Sequence, residues 1–414
     1  MRNSPTIRPD GRRSATAAHV LRTVLDHGPL SRTTIARLTG LSPAAITRHY
    51  TELAAVGLLS EAPGLVRPSG VGRPHVPVDL ADGPVVCGVH IAVPHVTLAL
   101  ADLRGRVLAQ ETFPHGPVPA GGGPDPAVAG PGDAATTGPT TNAPGATSPD
   151  AVLRAIRARL PRFMAGHDVV GVGLVTGGWV DPARGVIVEH PVLGWRDVPA
   201  ADALGDLGVP VRVESHARAL ALAEQLFGAS RGTSSLVHLF VGNVVDAAIV
   251  TGGAAHHGPG SAAGVVGHLP LDELRTPCAC GRAGCFQAAA AEGAMLARSG
   301  ERDLPTLLAR AEAGDRAATG LFRERAALVG RAAALLFDLI NPEVLVVTEP
   351  GILRLPDCLA VLRAEARRHS QVCVDPERTI LPSSFPGRVL GMAAVTAALD
   401  AVYRRPLALD LTTR

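Results

Sequence analysis

The chain has 414 residues, 46% of them apolar, enough for two or three globular domains with proper cores. All 39 basic residues are arginines, which excludes any mechanism needing a catalytic or phosphate-binding lysine, the P-loop type included. The net charge of +2 hides an asymmetry: residues 1–80 hold ten arginines against Asp10, Asp26, Glu52, Glu61 and Asp79, so a basic module suited to a polyanion precedes a mildly acidic body.

Arg2, Arg8, Arg12 and Arg13 have no apolar run behind them, so no secretory signal is read at the start. No run of about 18 apolar residues follows either, and the expectation is a soluble, cytoplasmic protein without a membrane span. Residues 15–27 place Val20, Leu21, Val24 and Leu25 on one helical face that Gly28-Pro29 ends. Ser31 caps a short second helix that stops at Gly40. Ser42 followed by Pro43 is an N-cap with proline at the first helical position, and it starts a third helix reaching about Val56. Ile46, Leu53 and Val56 form its buried side. Two short helices joined by a glycine-containing turn match a helix-turn-helix, whose exposed face would offer Ser42, Ala44, Thr47, Arg48 and His49 to DNA. An arginine reaches a guanine edge or a phosphate, and hydroxyls suit either target. A strand at Leu58–Ser60, a Gly/Pro-rich loop over 62–75 and a returning strand at Val76–Leu80 make a wing. In it, Gly72-Arg73-Pro74 is an extended basic element that would bring Arg73 into a narrow minor groove. An ordinary three-helix bundle used for protein contacts is the competing reading.

From about Val85, buried strands alternate with helices, which indicates an α/β domain, and hairpin-like pairs among the early strands point to a mixed sheet. Residues 114–149 break the pattern. Roughly half are Pro or Gly, without apolar periodicity, and they read as a disordered insertion. Cys278, Cys280 and Cys285 fall within eight residues and suggest a metal rather than disulfides, whereas Cys87, Cys358 and Cys373 read as core thiols. His256 and His257 read as loop histidines.

The order of parts resembles the ROK family, which groups repressors, uncharacterised reading frames and sugar kinases. The resemblance runs from about residue 15 to 405. It is carried by LSRTTIARLTGLSPAAITRHYTELAAVGLL near the start, by GVHIAVPHVTLALADLRGRVL at 88, and by VGVGLVTGGWVDPARGVIVEHPVLGWRDVP at 170. VVGHLPLD at 265, CACGRAGC at 278 and NPEVLVV at 341 extend it. It implies a winged helix-turn-helix over 1–82 and a two-lobed actin/hexokinase-like (ribonuclease H-like) α/β domain. Its first lobe would span 83–200 and its second 201–405, with a metal loop at 268–287 and a last helix returning to the first lobe. It also implies a homodimer on an inverted-repeat DNA operator. The kinases of the family hold nucleotide phosphates with an acid and glycines where this chain has His90-Ile91-Ala92-Val93-Pro94-His95. Their Glu-Asn-Asp segment, which ends in the catalytic base, corresponds to Glu214-Ser215-His216. Their second phosphate loop is Gly242-Asn243-Val244 here, and their adenosine-side glycines are Thr348-Glu349-Pro350-Gly351. Phosphotransfer is therefore not expected. The family's sugar-binding positions correspond to Ser215, His216, Val265, His268 and Gln287, of which only His268 keeps its identity. Ser215, His216, His268 and Gln287 are the candidate effector contacts, and an unmodified hexose fits them poorly. Zinc fares better: His268 with the thiolates of Cys278, Cys280 and Cys285, and with Gly281 and Gly284 allowing tight turns, makes a closed Cys3His set of structural type. The expectation is a DNA-binding regulator, most simply a repressor of carbohydrate-related genes. A divergent sugar kinase and a scaffold that binds no DNA are the alternatives.

Overall fold

The structure, a computed structural model, describes residues 9–63, 76–115 and 148–408. Helix α1 (Pro9–His27) buries Val20, Leu21, Val24 and Leu25, the face expected from their spacing. The Ser31 hydroxyl accepts from the Thr34 amide at 3.1 Å to open α2 (Arg32–Thr39). Ser42 accepts from Ala45 N at 3.2 Å to open α3 (Pro43–Ala55). Strands β1 (Leu59–Glu61) and β2 (Val78–Leu80) pair antiparallel, and Leu30 bridges to Val78 through two backbone bonds of 2.9 and 2.7 Å. This ties the α1–α2 turn to the base of the wing.

The next sheet begins as a meander, β3 (Pro84–Ile91), β4 (His95–Asp102) and β5 (Val107–Pro114). After α4 (Pro149–Met164), β6 (Asp168–Thr176) joins β3 in parallel. A separate antiparallel sheet follows, β7 (Trp179–Asp181), β8 (Val186–His190) and β9 (Trp195–Val198), then the short α5 (Ala200–Ala203). Strand β10 (Val211–Ser215) pairs parallel with β6 and leads into α6 (His216–Leu226), all of whose residues are buried. The second five-stranded sheet contains β11 (Leu236–Val241), β12 (Val245–Thr251) and β13 (Ala254–Ala255). Its helices are α7 (Phe286–Ala290), α8 (Glu292–Ser299), α9 (Leu304–Glu312) and α10 (Arg316–Ile340). The chain ends with β14 (Val344–Thr348), α11 (Pro350–Arg354), α12 (Pro356–His369), α13 (Pro376–Thr379), β15 (Ile380–Pro382) and α14 (Val389–Arg404).

The two large sheets share one topology. The first runs β10-β6-β3-β4-β5 and the second, read from its far edge, β15-β14-β11-β12-β13. In each, the first three strands form an antiparallel meander and the last two add in parallel on the other side. The mixed sheet expected from the hairpin-like early strands is present twice. All eight residues of β3 are buried, as a central strand covered on both faces requires. One cover is α14, which returns from the chain's end to the first sheet. A Cβ on Gly88 would lie 2.5 Å from the Ala394 backbone, and one on Gly173 would lie 2.5 Å from the Ala394 oxygen, so only glycine lets the helix approach this closely. The other side of α14 receives α6, which also packs on β11 and β12 and so lies between the sheets. The three-helix unit is not separate from this body. Ala17, Val20, Leu21, Val24, Leu25, Ile46 and Leu53 share one apolar core with Leu103, Leu226, Val395, Leu399 and Val402.

Of the insertion read over 114–149, Pro114 ends β5 and Pro149 starts α4, while residues 116–147 lie outside the described residues. Arg73 and most of the wing loop also lie outside them. Two details of the third helix differ from expectation. Val56 is half-buried rather than core, and His49, expected on the exposed face, is 1% exposed. The reason for the second is rotation: positions 46, 49 and 53 share the face turned toward α1, where Ile46 and Leu53 are already buried.

Candidate nucleic-acid interface, metal centre and buried histidine cluster

Ser42, Ala44, Thr47 and Arg48 are all exposed on one side of α3. The Ser42 hydroxyl spends its acceptor on the helix cap, and Thr47 Oγ1 donates to Pro43 O at 3.0 Å, which fixes its rotamer. Thr51, one turn further on, is exposed on the same side and donates to Thr47 O at 3.0 Å. It was passed over in the sequence although the i, i+4 spacing from Thr47 marks it. Among the described residues no carboxylate pairs with Arg48. Beneath this face, His49 Nδ1 lies 3.0 Å from Glu52 Oε2, and Arg13 of α1 reaches the other oxygen, Oε1, at 2.7 Å. Burial alone would raise the Glu52 carboxyl; the hydrogen bonds from Arg13 and His49 outweigh it and hold the group below its ordinary value.

The second constellation is the cysteine loop. Its base is pinned by bridges between Pro270 and Cys285 and between Pro277 and Ala283. Gly281 and Gly284 take φ of 83° and 85°, the left-handed turns that bring the thiols back on one another. His268 Nδ1 and the sulfurs of Cys278, Cys280 and Cys285 all lie within 4.8 Å of one another. Cys278 Sγ is 3.7 Å from His268 Nδ1, and Cys280 Sγ is 3.7 Å from Cys285 Sγ. A tetrahedral zinc with Zn–S bonds of about 2.3 Å requires edges of about 3.8 Å. The donor set and its spacing therefore fit a tetrahedral metal ion. Cys87, by contrast, is a core thiol pushed up to about 12 by burial.

The third is a cluster of buried groups where the two large sheets meet. His216, the first residue of α6, stacks on His90 of β3 with ring centres 5.7 Å apart, and its other neighbour is the Phe240 ring at 4.0 Å. His216 Nε2 lies 3.3 Å from Asp246 Oδ2, which also accepts from the Gly178 amide at 2.7 Å. Asp246 was not foreseen, because an acid inside the apolar strand β12 carries no motif of its own. Burial, then the neighbouring His216, depress His90 well below the ordinary histidine value. Burial also lowers His190 to about 4 and His238 to about 3, so these rings are neutral at pH 7. Asn243 Nδ2 donates to Val93 O at 3.0 Å and Trp179 Nε1 to Gly260 O at 2.7 Å, two bonds that join the loops of the two halves. Of the candidate effector contacts, the structure brings Ser215 and His216 together at the β10–α6 junction. His268 instead belongs to the cysteine cluster. Gln287 is committed to the 242–245 turn, accepting from Val245 N at 2.7 Å and donating to Asn243 O at 2.8 Å. The stretch at 348–351 is also occupied: Glu349 Oε2 caps α11 through Ile352 N at 2.7 Å, and Oε1 faces Arg325 at 3.3 Å.

A basic helix-turn-helix, a duplicated five-stranded topology and a His/Cys3 loop thus lie in one chain, and the profile of the ROK family matches residues 136–392. The chain belongs to the ROK family. A protein named as a transcriptional regulator in Mycobacterium tuberculosis is 31% identical over 94% of this chain and 86% of its own length. The crystal structure of a ROK family transcriptional regulator, described as a homologue of the Escherichia coli MLC protein, shares the fold at a TM-score of 0.76. It has 21% identity and covers 96% of this chain and 98% of its own. A ROK family glucokinase from Streptomyces griseus, solved with glucose and AMPPNP, gives a TM-score of 0.60 at 23% identity. It covers 76% of this chain and 98% of its own. The regulators extend over nearly the whole of this ROK chain, helix-turn-helix included, and the chain stands with the family's transcriptional regulators. Among the described residues no helix is long and apolar enough to cross a membrane.

Proposed function

We propose that this ROK protein is a DNA-binding repressor that works in the cytoplasm as a homodimer on an inverted-repeat operator. The observation that carries this reading is the free, capped face of α3, with Ser42, Ala44, Thr47 and Arg48 exposed beside a hairpin in an N-terminal region of net positive charge. The Ser42 hydroxyl, which accepts at the cap, keeps its proton for a phosphate oxygen, Thr47 Oγ1, whose proton goes to Pro43 O, offers a lone pair to a base donor, Ala44 gives close approach, and Arg48 reads a base edge or a phosphate. Arg73 serves the minor groove. Zinc is the metal that best suits His268, Cys278, Cys280 and Cys285, where it would act structurally by holding the loop closed.

The ROK domain on this reading senses and oligomerises rather than transfers phosphate. In support, the phosphate-cradle segment is His90–His95, and the base position is a histidine buried against Phe240 and Asp246. Ser215 and His216 stand where the family's kinases bind sugar; both are buried here, His216 against His90, Phe240 and Asp246, and their hydrogen-bonding character is unlike that of an unmodified hexose site.

The test is selection of operators from a random duplex library, followed by fluorescence anisotropy with the full chain. Arg48→Ala is expected to cost about 1–3 kcal/mol on the selected site and to relax preference at one position per half-site. Binding that ignores both salt and Arg48 overturns the assignment. In the same preparation, sugar-dependent ADP release at about one turnover per second with ATP and magnesium would restore the kinase reading.

A further inference from the structure

The surface that meets DNA need not stop at α3, and the groove between α3 and α1 carries the reason. This groove, of about 530 Å3, is lined by Arg13, Thr16, Leu41, Ala45, Arg48, His49 and Glu52, so two guanidinium groups and one carboxylate face it. The carboxylate is the recessed member: the Glu52 side chain is 14% exposed, whereas Arg13 is 58% exposed. Both carboxylate oxygens are engaged, Oε1 by Arg13 Nε at 3.0 Å and Nη2 at 2.7 Å, and Oε2 by His49 Nδ1 at 3.0 Å. Each carboxylate oxygen thus already has a hydrogen-bond partner, and the carboxylate lies deeper than the guanidinium that covers it. The cationic end of the pair points to solvent from the helix beside Arg48.

We propose that Arg13 is a second anchor for the DNA sugar-phosphate backbone, pre-positioned by Glu52, so that the interface reaches from α3 onto α1. This rests on the DNA-binding reading above. An arginine forfeits considerable rotamer entropy when it settles on a ligand, and a guanidinium already held through two nitrogens has lost much of it before DNA arrives. His49 completes the device from behind. Its burial between α1 and α3 fixes Glu52, which fixes Arg13, so a residue expected on the exposed, DNA-facing side acts instead as a positioning residue for a phosphate contact. A phosphate contact carries no sequence information, and its signature is electrostatic.

The experiment titrates the full chain with two duplexes of equal length, the selected operator and an unrelated sequence, across a range of salt concentrations. Arg13→Gln, Arg13→Lys and Arg48→Ala are compared with wild type, and melting temperatures are recorded for all. Arg13→Gln is expected to make the log–log salt slope shallower by about 0.9 and to weaken both duplexes alike, by about three- to tenfold. Arg13→Lys should restore most of the slope. If Arg13→Gln lowers the melting temperature while the slope stays at the wild-type value, Arg13 is a tether between helices only and the proposal fails. An unchanged slope with unchanged stability defeats it as well. If wild type shows no salt-dependent binding to either duplex, the repressor reading falls first, which is a separate result from a steep wild-type slope that Arg13→Gln leaves intact.

Discussion

His238 sits at 0% exposure in the middle of β11 with Nε2 3.0 Å from Thr348 Oγ1, a neutral ring where a charged one would find no compensation. Its folded pKa of about 3, and that of His190 at about 4, lie below the value of about 6.5 in an unfolded chain. Above that value both states are neutral and the rings cost nothing. As pH falls below it, the unfolded chain takes up protons that the folded chain refuses, so stability drops on the order of 1 kcal/mol per pH unit for each ring, down to the folded pKa. Urea midpoints are expected to fall between pH 7 and 5, and His238→Gln should flatten that trend. A profile identical to wild type would contradict the account. The cysteine loop offers a second test at this scale. Cys280→Ala removes one of four donors and should abolish the roughly one zinc per chain expected in wild type by elemental analysis. Equal metal content in both proteins would rule out the set His268, Cys278, Cys280 and Cys285.

At the scale of elements, the decisive contacts are made by glycines and caps rather than by large side chains. Helix α14 lies so close to β3 that Gly88 has the Ala394 carbonyl carbon and the Val395 nitrogen both at 2.5 Å from where a Cβ would stand. Neither is the flexible end of a side chain, so the helix itself would have to move. Gly88→Ala is expected to destabilise the chain by about 1–3 kcal/mol in urea denaturation, and a loss below about half a kcal/mol would mean that α14 shifts freely. The same closeness explains why Ala393, Ala394, Ala397 and Ala398 crowd one helix: small side chains are what a tight helix–sheet contact admits.

Across the whole molecule, the N-terminal three-helix unit is fused to the body. Arg22 of α1 donates to Gln225 O at 2.6 Å, Asp26 pairs with Arg231 at 2.8 Å, and the apolar core continues from Leu21 and Val24 to Leu399 and Val402. Such an arrangement should unfold as one cooperative unit. Amides of residues 17–27 are expected to show hydrogen-exchange protection similar to that of β3 and α14. Exchange of α1 orders of magnitude faster than the first sheet would show a loosely hung module. For the same reason, DNA-binding tests belong on the full chain, since removing residues 1–82 would bare part of a shared core.

Much of this was legible in the linear chain because its signals are local. Ser31, Ser42 and Pro43 announce helix starts by the chemistry of the first turn, the spacing of Cys278, Cys280 and Cys285 announces a thiol cluster able to hold a metal, and apolar runs such as 85–91 announce buried strands. Local rules do not reach further. That His49 turns inward while Thr51 turns out depends on how α3 rolls against α1, a rotation set by packing. That Asp246 meets His216, that Gln287 props the 242–245 turn instead of offering its amide to an effector, and that α1 shares its core with α14 all join residues 30 to nearly 400 positions apart. Contacts over such distances leave no periodicity or spacing in the sequence, because they arise only when separate elements compete for the same buried surface.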